Sequence, residues 1–221
     1  MEDKILSAYT AYVLNHGKRP ESIYSFAQDL EISESEFYQH YASFDAIDQS
    51  FSTALFHKTV ELIEKNEDYA SFDGKDKLLT LYYTLFEMLT ANRSFVMALM
   101  GKSHNPMKHM RNLHPLRAAF KKYVHALNLD IVDLKIEGLK KYQDKGVGEL
   151  AWAQFMFILK FWMTDTSKGF EKTDVLIEKS VQTGFSLVNS EPVNNLIDLG
   201  KFLWKEKSMM WYGNDRQHPH I

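Results

Sequence analysis

No proline interrupts Glu21 to Asn105 or Leu116 to Glu191, so the two longest stretches of this chain can run as helices without a break imposed by a proline ring. Apolar side chains fill those stretches at helical spacing. Ile5, Ala8, Tyr9, Tyr12 and Val13 fall at i, i+3, i+4, i+7 and i+8, and Gly17 stands where a helix would end. Ile23, Phe26, Ala27 and Leu30 repeat the stripe after Pro20, and Ser33 followed by Glu36 has the spacing of a capping box that opens a third short helix. A fourth helix is predicted over about 45–65, with Ile47, Phe51, Ala54, Leu55 and Leu62 in period. Beyond a polar loop at 66–74, Leu78 to Leu89 and Phe95 to Met100 predict two more helices. Further helices are expected over Leu116–Tyr142, with a break at Asn128-Leu129-Asp130 allowed by the pattern, over Glu149–Met163 and over about 177–188, with Gly146-Val147-Gly148 separating the first two. Ten glycines and five prolines in 221 residues are too few for an all-β chain, which needs a turn about every 8–12 residues. The fold class expected is all-α.

Several functions are excluded at this level. With no cysteine, the chain has no disulfide, thiolate metal site or cysteine nucleophile. The longest uncharged apolar run, Leu150 to Leu159, falls short of the about 20 residues that span a bilayer, so no transmembrane segment is expected. Met1-Glu2-Asp3-Lys4 lacks the character of a secretory leader, and the expected location is the cytoplasm. No Gly-rich phosphate loop, nucleophile elbow or His-Glu-x-x-His is present, so no enzyme, catalytic residue or cofactor is expected. His104, His109 and His114 are spaced by five, with His125 beyond, and do not stack on one helix face as i, i+4 ligands would; no metal site is expected.

Charge is distributed unevenly. Residues 1–50 carry three basic side chains (Lys4, Lys18, Arg19) against nine acidic ones, a balance of −6, whereas 101–150 carry ten basic against five acidic, a balance of +5. The basic run of the second region, Lys102, Lys108, Arg111, Arg117, Lys121 and Lys122, has the composition of a solvated helix face, and would also suit an acidic head group, an anionic membrane or an acidic protein.

Two segments of the N-terminal region carry a resemblance. Ser22-Ile23-Tyr24-Ser25-Phe26-Ala27 resembles the start of the second helix in the TetR family of bacterial regulators, and Ser33-x-x-Glu36-Phe37-Tyr38-x-His40-Tyr41 resembles that family's recognition helix. Ser43-Phe44-Asp45-Ala46-Ile47 matches the start of its fourth helix. The resemblance covers about residues 4–60 and implies three parts: a helix-turn-helix head over 1–45, a helical ligand-binding and dimerisation domain over 46–190, and an additional C-terminal segment over 191–221. Lys18, Arg19, Ser22, Ser35, Tyr38 and His40 are the expected DNA contacts, because basic and hydroxyl groups at helix ends hold phosphates and set the register. This sequence departs from the family pattern at Phe44, where a lysine is usual, at Glu31, where a turn glycine is usual, and through Glu34 and Glu36 on the recognition helix. An acidic head opposes phosphate, since affinity for DNA rests on neutralising that charge.

The resemblance further implies a homodimer formed by the last two helices of the domain, and a small apolar effector or lipid. The helix around 149–163 is apolar on nearly every side and must be covered all round, so Trp152, Met156, Leu159, Trp162, Ile177, Val181 and Phe185 are the expected dimer contacts. Tyr82, Phe86, Phe95, Phe120, Tyr123, Trp152 and Phe155 are the expected pocket residues, as aromatic surfaces accommodate apolar ligands. After Pro192, Val193, Leu196, Ile197, Gly200, Leu203 and Trp204 give one more stripe, and Met209, Met210, Trp211 and Tyr212 are expected to dock on the body or a partner. Three functions fit, in this order: a TetR-type regulator that binds operator DNA and responds to an apolar ligand; a protein of the same fold that leaves DNA alone and binds a lipid or isoprenoid as an accessory or carrier; and a purely structural dimerisation protein, which would need the bundle interior to be filled.

Overall fold

Serine side chains start the short helices of the first fifty residues. The computed structural model describes residues 1–100, 112–127, 129 and 137–188. Helix α1 spans Glu2–His16, α2 Ile23–Asp29, α3 Glu34–His40 and α4 Phe44–Glu64. Ser22, Ser33 and Ser43 occupy the N-caps of α2, α3 and α4, and their hydroxyls accept from the N–H of Ser25, Glu36 and Ala46 at 3.1, 3.0 and 3.2 Å. Each helix therefore begins with one of its orphan donors satisfied. Gly17 closes α1 with φ of 64°, in the left-handed region that glycine enters without a steric penalty.

The turn between α2 and α3 makes the same demand without a glycine to meet it. Glu31 sits at φ of 58° while its N–H donates to the carbonyl of Gln28 at 3.0 Å and that of Ile32 to Ala27 at 3.0 Å. A left-handed conformation costs a β-carbon-bearing residue about 1–2 kcal/mol, of which glycine's greater freedom in the unfolded chain offsets about 0.5–1 kcal/mol. Glu31→Gly is therefore expected to stabilise the head by up to about 1 kcal/mol, read as a higher urea midpoint; a lower midpoint would show that the Glu31 side chain supplies more than its backbone conformation costs.

The rest of the described chain comprises α5 (Gly74–Ala91), α6 (Arg93–Met100), α7 (His114–Ala126), α8 (Glu137–Thr164) and α9 (Glu171–Val188), with single 3-10 turns at Glu67–Ser71 and Lys168–Phe170. Among the described residues every regular element is helical, in agreement with the all-α expectation. Helix α7 ends at Ala126, just ahead of the break the pattern allows at Asn128-Leu129-Asp130, whereas α8 differs from the pattern by running unbroken through Gly146-Val147-Gly148. Gly148 lies inside α8 where α7 comes close: a Cβ there would meet Nε2 of His125 at 3.1 Å, a tight contact that the His125 side chain would have to relieve.

Helix α4 leaves the head and packs on α5 and α7, α7 packs on α8, and α9 lies against α5 and α8. Two apolar clusters result. The first gathers Ile5, Tyr9, Val13, Phe26, Phe37 and Ile47 beneath the head; the second runs through α4, α5, α7, α8 and α9. Several expectations lie outside the described residues: the stripe and tail after Pro192, the histidines His104 and His109, and the cations Lys102, Lys108 and Arg111.

Candidate functional site

The head presents α3 to solvent with a neutral and acidic surface. Ser22 and Ser35 are exposed, Tyr38 is half-exposed by area, and His40 is partly covered with its Nδ1 3.9 Å from a Glu2 carboxylate oxygen. Tyr24 and Gln28, one turn apart on α2 and joined by a 2.9 Å hydrogen bond, extend this polar surface; their positions opposite Phe26 and Ala27 were the available signal. The cations are placed differently from the expectation. Lys18 pairs with Glu21 at 3.1 Å, and Lys4 Nζ donates to the carbonyl of Leu30 at 3.1 Å. Arg19 turns inward, bonding Asp45 Oδ1 at 2.7 Å and forming a close ion pair with buried Asp48, which also accepts from the Tyr9 hydroxyl at 3.0 Å. All three basic side chains of residues 1–50 thus have partners within the chain. Burial pushes the Asp48 carboxyl up to about 6, against the pull of the Arg19 guanidinium and the Tyr9 hydroxyl.

The aromatic residues expected to line a pocket instead fill space. Tyr82, Phe120, Trp152, Phe155 and Phe86 form a continuous chain of rings with centroids 5.3–6.1 Å apart, all buried. Packing at these separations leaves no room for a ligand. Tyr123 bonds the Tyr69 hydroxyl and meets Phe56 edge-on at 6.1 Å. Phe95 is not in this domain's core at all: it sits under the head, between Tyr9 at 6.2 Å and Phe51 at 4.7 Å. Of the seven, Tyr82, Phe86, Phe95, Phe120, Trp152 and Phe155 are buried, and Tyr123 packs partly buried against the second apolar cluster.

A cavity of about 320 Å³ lies elsewhere, between α5, α8 and α9. Leu78 contributes from α5, Val147, Ala151 and Gln154 from α8, and Val181 and Phe185 from α9, with Leu129 at one end. Its volume falls within the range of about 300–1,000 Å³ typical of small-molecule sites. Gln154 is fixed on its wall: its Oε1 accepts from the Tyr82 hydroxyl at 3.1 Å, and its Nε2 donates to Ser180 Oγ at 3.2 Å. Tyr82, expected to touch a ligand directly, is buried and shares its one hydroxyl proton between Gln154 Oε1 and the carbonyl of Ala151, each at 3.1 Å.

The expected dimer contacts require a second correction. Trp152, Leu159, Trp162, Ile177 and Val181 are buried inside the protomer, between 0% and 6% exposed, so they are unavailable to a partner; Met156 and Phe185 are partly covered. The open face of α8 carries Leu150, Ala153 and Phe157, with Leu150 68% and Phe157 58% exposed. Leu187 of α9, 58% exposed, stands near Leu150 at the rim of the cavity.

The remaining polar features are structural. Arg117 and Lys121 both pair with Glu149, joining α7 to α8. At the turn into α9, Asp165 accepts from the backbone and side chain of Thr173 at 3.0 and 2.7 Å and from those of Ser167 at 2.9 and 2.7 Å. Burial raises this carboxyl, but the four hydrogen bonds outweigh it and hold it down at about 2. No group of three or more potential ligands for a metal occurs among the described residues, and none of the described helices is long and apolar enough to cross a membrane.

Comparison with curated proteins gave no match. A family model described as the tetracycline repressor-like C-terminal domain matches residues 77–203, more than half of the chain, and so covers α5 to α9 and continues past Val188. With the serine-capped short helices of the head leading through α4 into that matched domain, the chain belongs to the tetracycline repressor-like (TetR) family.

Proposed function

We propose that the protein is a homodimeric transcriptional regulator in which an apolar effector, held in the cavity between α5, α8 and α9, changes how the two heads engage operator DNA. The observation that carries this reading is the family match over the effector-binding domain, joined to a head whose second and third helices each begin at a serine cap. The open apolar face of Leu150, Ala153 and Phe157 supports pairing through α8 and α9, since aliphatic and aromatic side chains left on one helix face are best covered by a second copy. Ser22, Ser35, Tyr38 and His40 would then meet DNA as neutral hydrogen-bonding groups, which fix register without supplying much charge.

One observation favours a second reading, a ligand-binding protein of this fold that leaves DNA alone: each basic side chain of residues 1–50 already has a partner within the chain. Fluorescence anisotropy with a labelled duplex from the protein's own upstream region, titrated at about 50 and about 200 mM salt, separates the two. A regulator binds the specific duplex at low salt and weakens steeply over that range. Absence of binding at low salt, together with DNA binding acquired by the Glu34→Lys, Glu36→Lys variant, would assign the second function and locate its cause in the acidic recognition helix.

A further inference from the structure

The cavity between α5, α8 and α9 carries chemical selectivity of its own. Gln154 is the polar side chain on a wall otherwise built from aliphatic residues, Gly184 and Phe185, and no charged side chain lines it among the described residues. A carboxamide has two N–H donors and an oxygen with two lone pairs. The bonds to Tyr82 and Ser180 use one of each and lock the plane of the amide between α5 and α9. One donor and one acceptor remain, in an orientation set before a ligand arrives.

We propose that this cavity takes an uncharged, mainly hydrocarbon molecule bearing a single hydroxyl or carbonyl oxygen, and that Gln154 is the residue that recognises that oxygen. This rests on the cavity being the effector site. A carboxylate or ammonium group drawn from the open rim down to Gln154 would give up hydration with no counter-charge to replace it, whereas an alcohol exchanges bonds to water for bonds to the amide. A plain hydrocarbon would fill the space and leave the free donor and acceptor of Gln154 unpaired. Tyr82 supplies no anion to a cationic ligand, because burial keeps its phenol neutral far above the ordinary range.

The test uses the full chain and the hydrocarbon fluorophore pyrene, which has no polar atom. Gly184 provides the site control: a β-carbon there would meet nothing within 4 Å, so Gly184→Leu projects into the cavity from α9 and is expected to abolish pyrene uptake. Decanol is expected to displace pyrene at a concentration about tenfold below that of decanoate or decylamine, a difference of the size that one well-made polar contact produces. Gln154→Leu should remove most of decanol's advantage while pyrene itself still binds. Gln154→Glu, which keeps an acceptor for Tyr82 and adds charge, should carry decylamine past decanol. Equal displacement by all three molecules, or an unchanged ranking in both Gln154 variants, would overturn the proposal while leaving the cavity as a ligand site. Failure of pyrene to bind the unaltered protein, or binding that Gly184→Leu leaves intact, would overturn the effector-site reading and the proposal with it.

Discussion

Trp162→Ala is expected to lower stability by about 3–5 kcal/mol, the range for truncating a large buried aromatic, and to lower the melting temperature by roughly 10 °C in a chain of this size. The indole is fully buried and is held from every direction. Phe86 and Phe170 flank it with ring centroids at 6.2 and 6.1 Å, the Arg93 guanidinium lies 4.4 Å from its centroid, and its Nε1–H donates to Thr90 Oγ1 at 3.1 Å. Arg93 also donates to the carbonyls of Trp162 and Met163 at 2.9 and 3.1 Å, satisfying the end of α8 from the first turn of α6. The loss therefore includes a cavity, a cation–π contact and a stranded Thr90 hydroxyl. Trp162→Phe, which keeps most of the volume and forfeits the hydrogen bond, should cost about 1–2 kcal/mol. Thermal unfolding followed by circular dichroism measures both. An alanine variant as stable as the original would mean that α5, α6 and the Lys168–Phe170 turn do not close around this ring.

Trp162 also shows where the sequence is informative and where it is silent. The head was legible because its signals are local: a serine three residues ahead of the N–H it caps, a glycine at a left-handed end, and apolar side chains at i and i+4. Which side of α8 faces inward was not legible, because a helix apolar on nearly every side has no stripe to read. The two tryptophans, with Phe155, Ile158 and Leu159, occupy the interior, and Leu150, Ala153 and Phe157 are left outside, although Phe157 is as large as Phe155. The family pattern implies pairing through the last two helices and carries no signal of which of their faces is open.

The cavity was missed for a related reason. Aromatic side chains in a protein interior meet one another at contact distance, so selecting them selects the places where space is already filled. A void survives where residues are small, and this one is bounded by Ala151, Val147, Val181 and Gly184. Its polar reader, Gln154, has no signature in sequence, since the bonds that orient it come from Tyr82 and Ser180, 72 and 26 residues away. Gly146-Val147-Gly148 misled in the same manner: the close neighbour of Gly148 is His125 on another helix.

Arg19→Ala is expected to destabilise the head by about 3–5 kcal/mol near neutral pH, because it strands the buried Asp48 carboxylate instead of deleting a pair. Arg19 stands just before α2, Asp45 and Asp48 in the first two turns of α4, and Tyr9 on α1, while Asn112 Nδ2 reaches Asp45 Oδ1 at 3.2 Å from the start of the body. One guanidinium thus ties the turn before α2 to the start of α4, with Tyr9 of α1 bound to the same Asp48 carboxylate. The pH dependence gives the sharper test. With the cation gone, the Asp48 carboxyl titrates above the value of about 6 that burial already gives it. A carboxyl raised in the folded state favours folding below its unfolded value, near about 4, and that contribution disappears as pH rises through the folded value. The deficit of Arg19→Ala should therefore be small at about pH 5 and full at about pH 8. Arg19→Met with Asp48→Asn, which removes both charges and keeps an acceptor for Tyr9, should recover most of the loss and flatten the pH dependence. Urea unfolding at the two pH values measures all of this. A deficit that stays constant with pH, or a double variant no better than Arg19→Ala, would show that Arg19 stabilises the head through its packing against α4 rather than through charge.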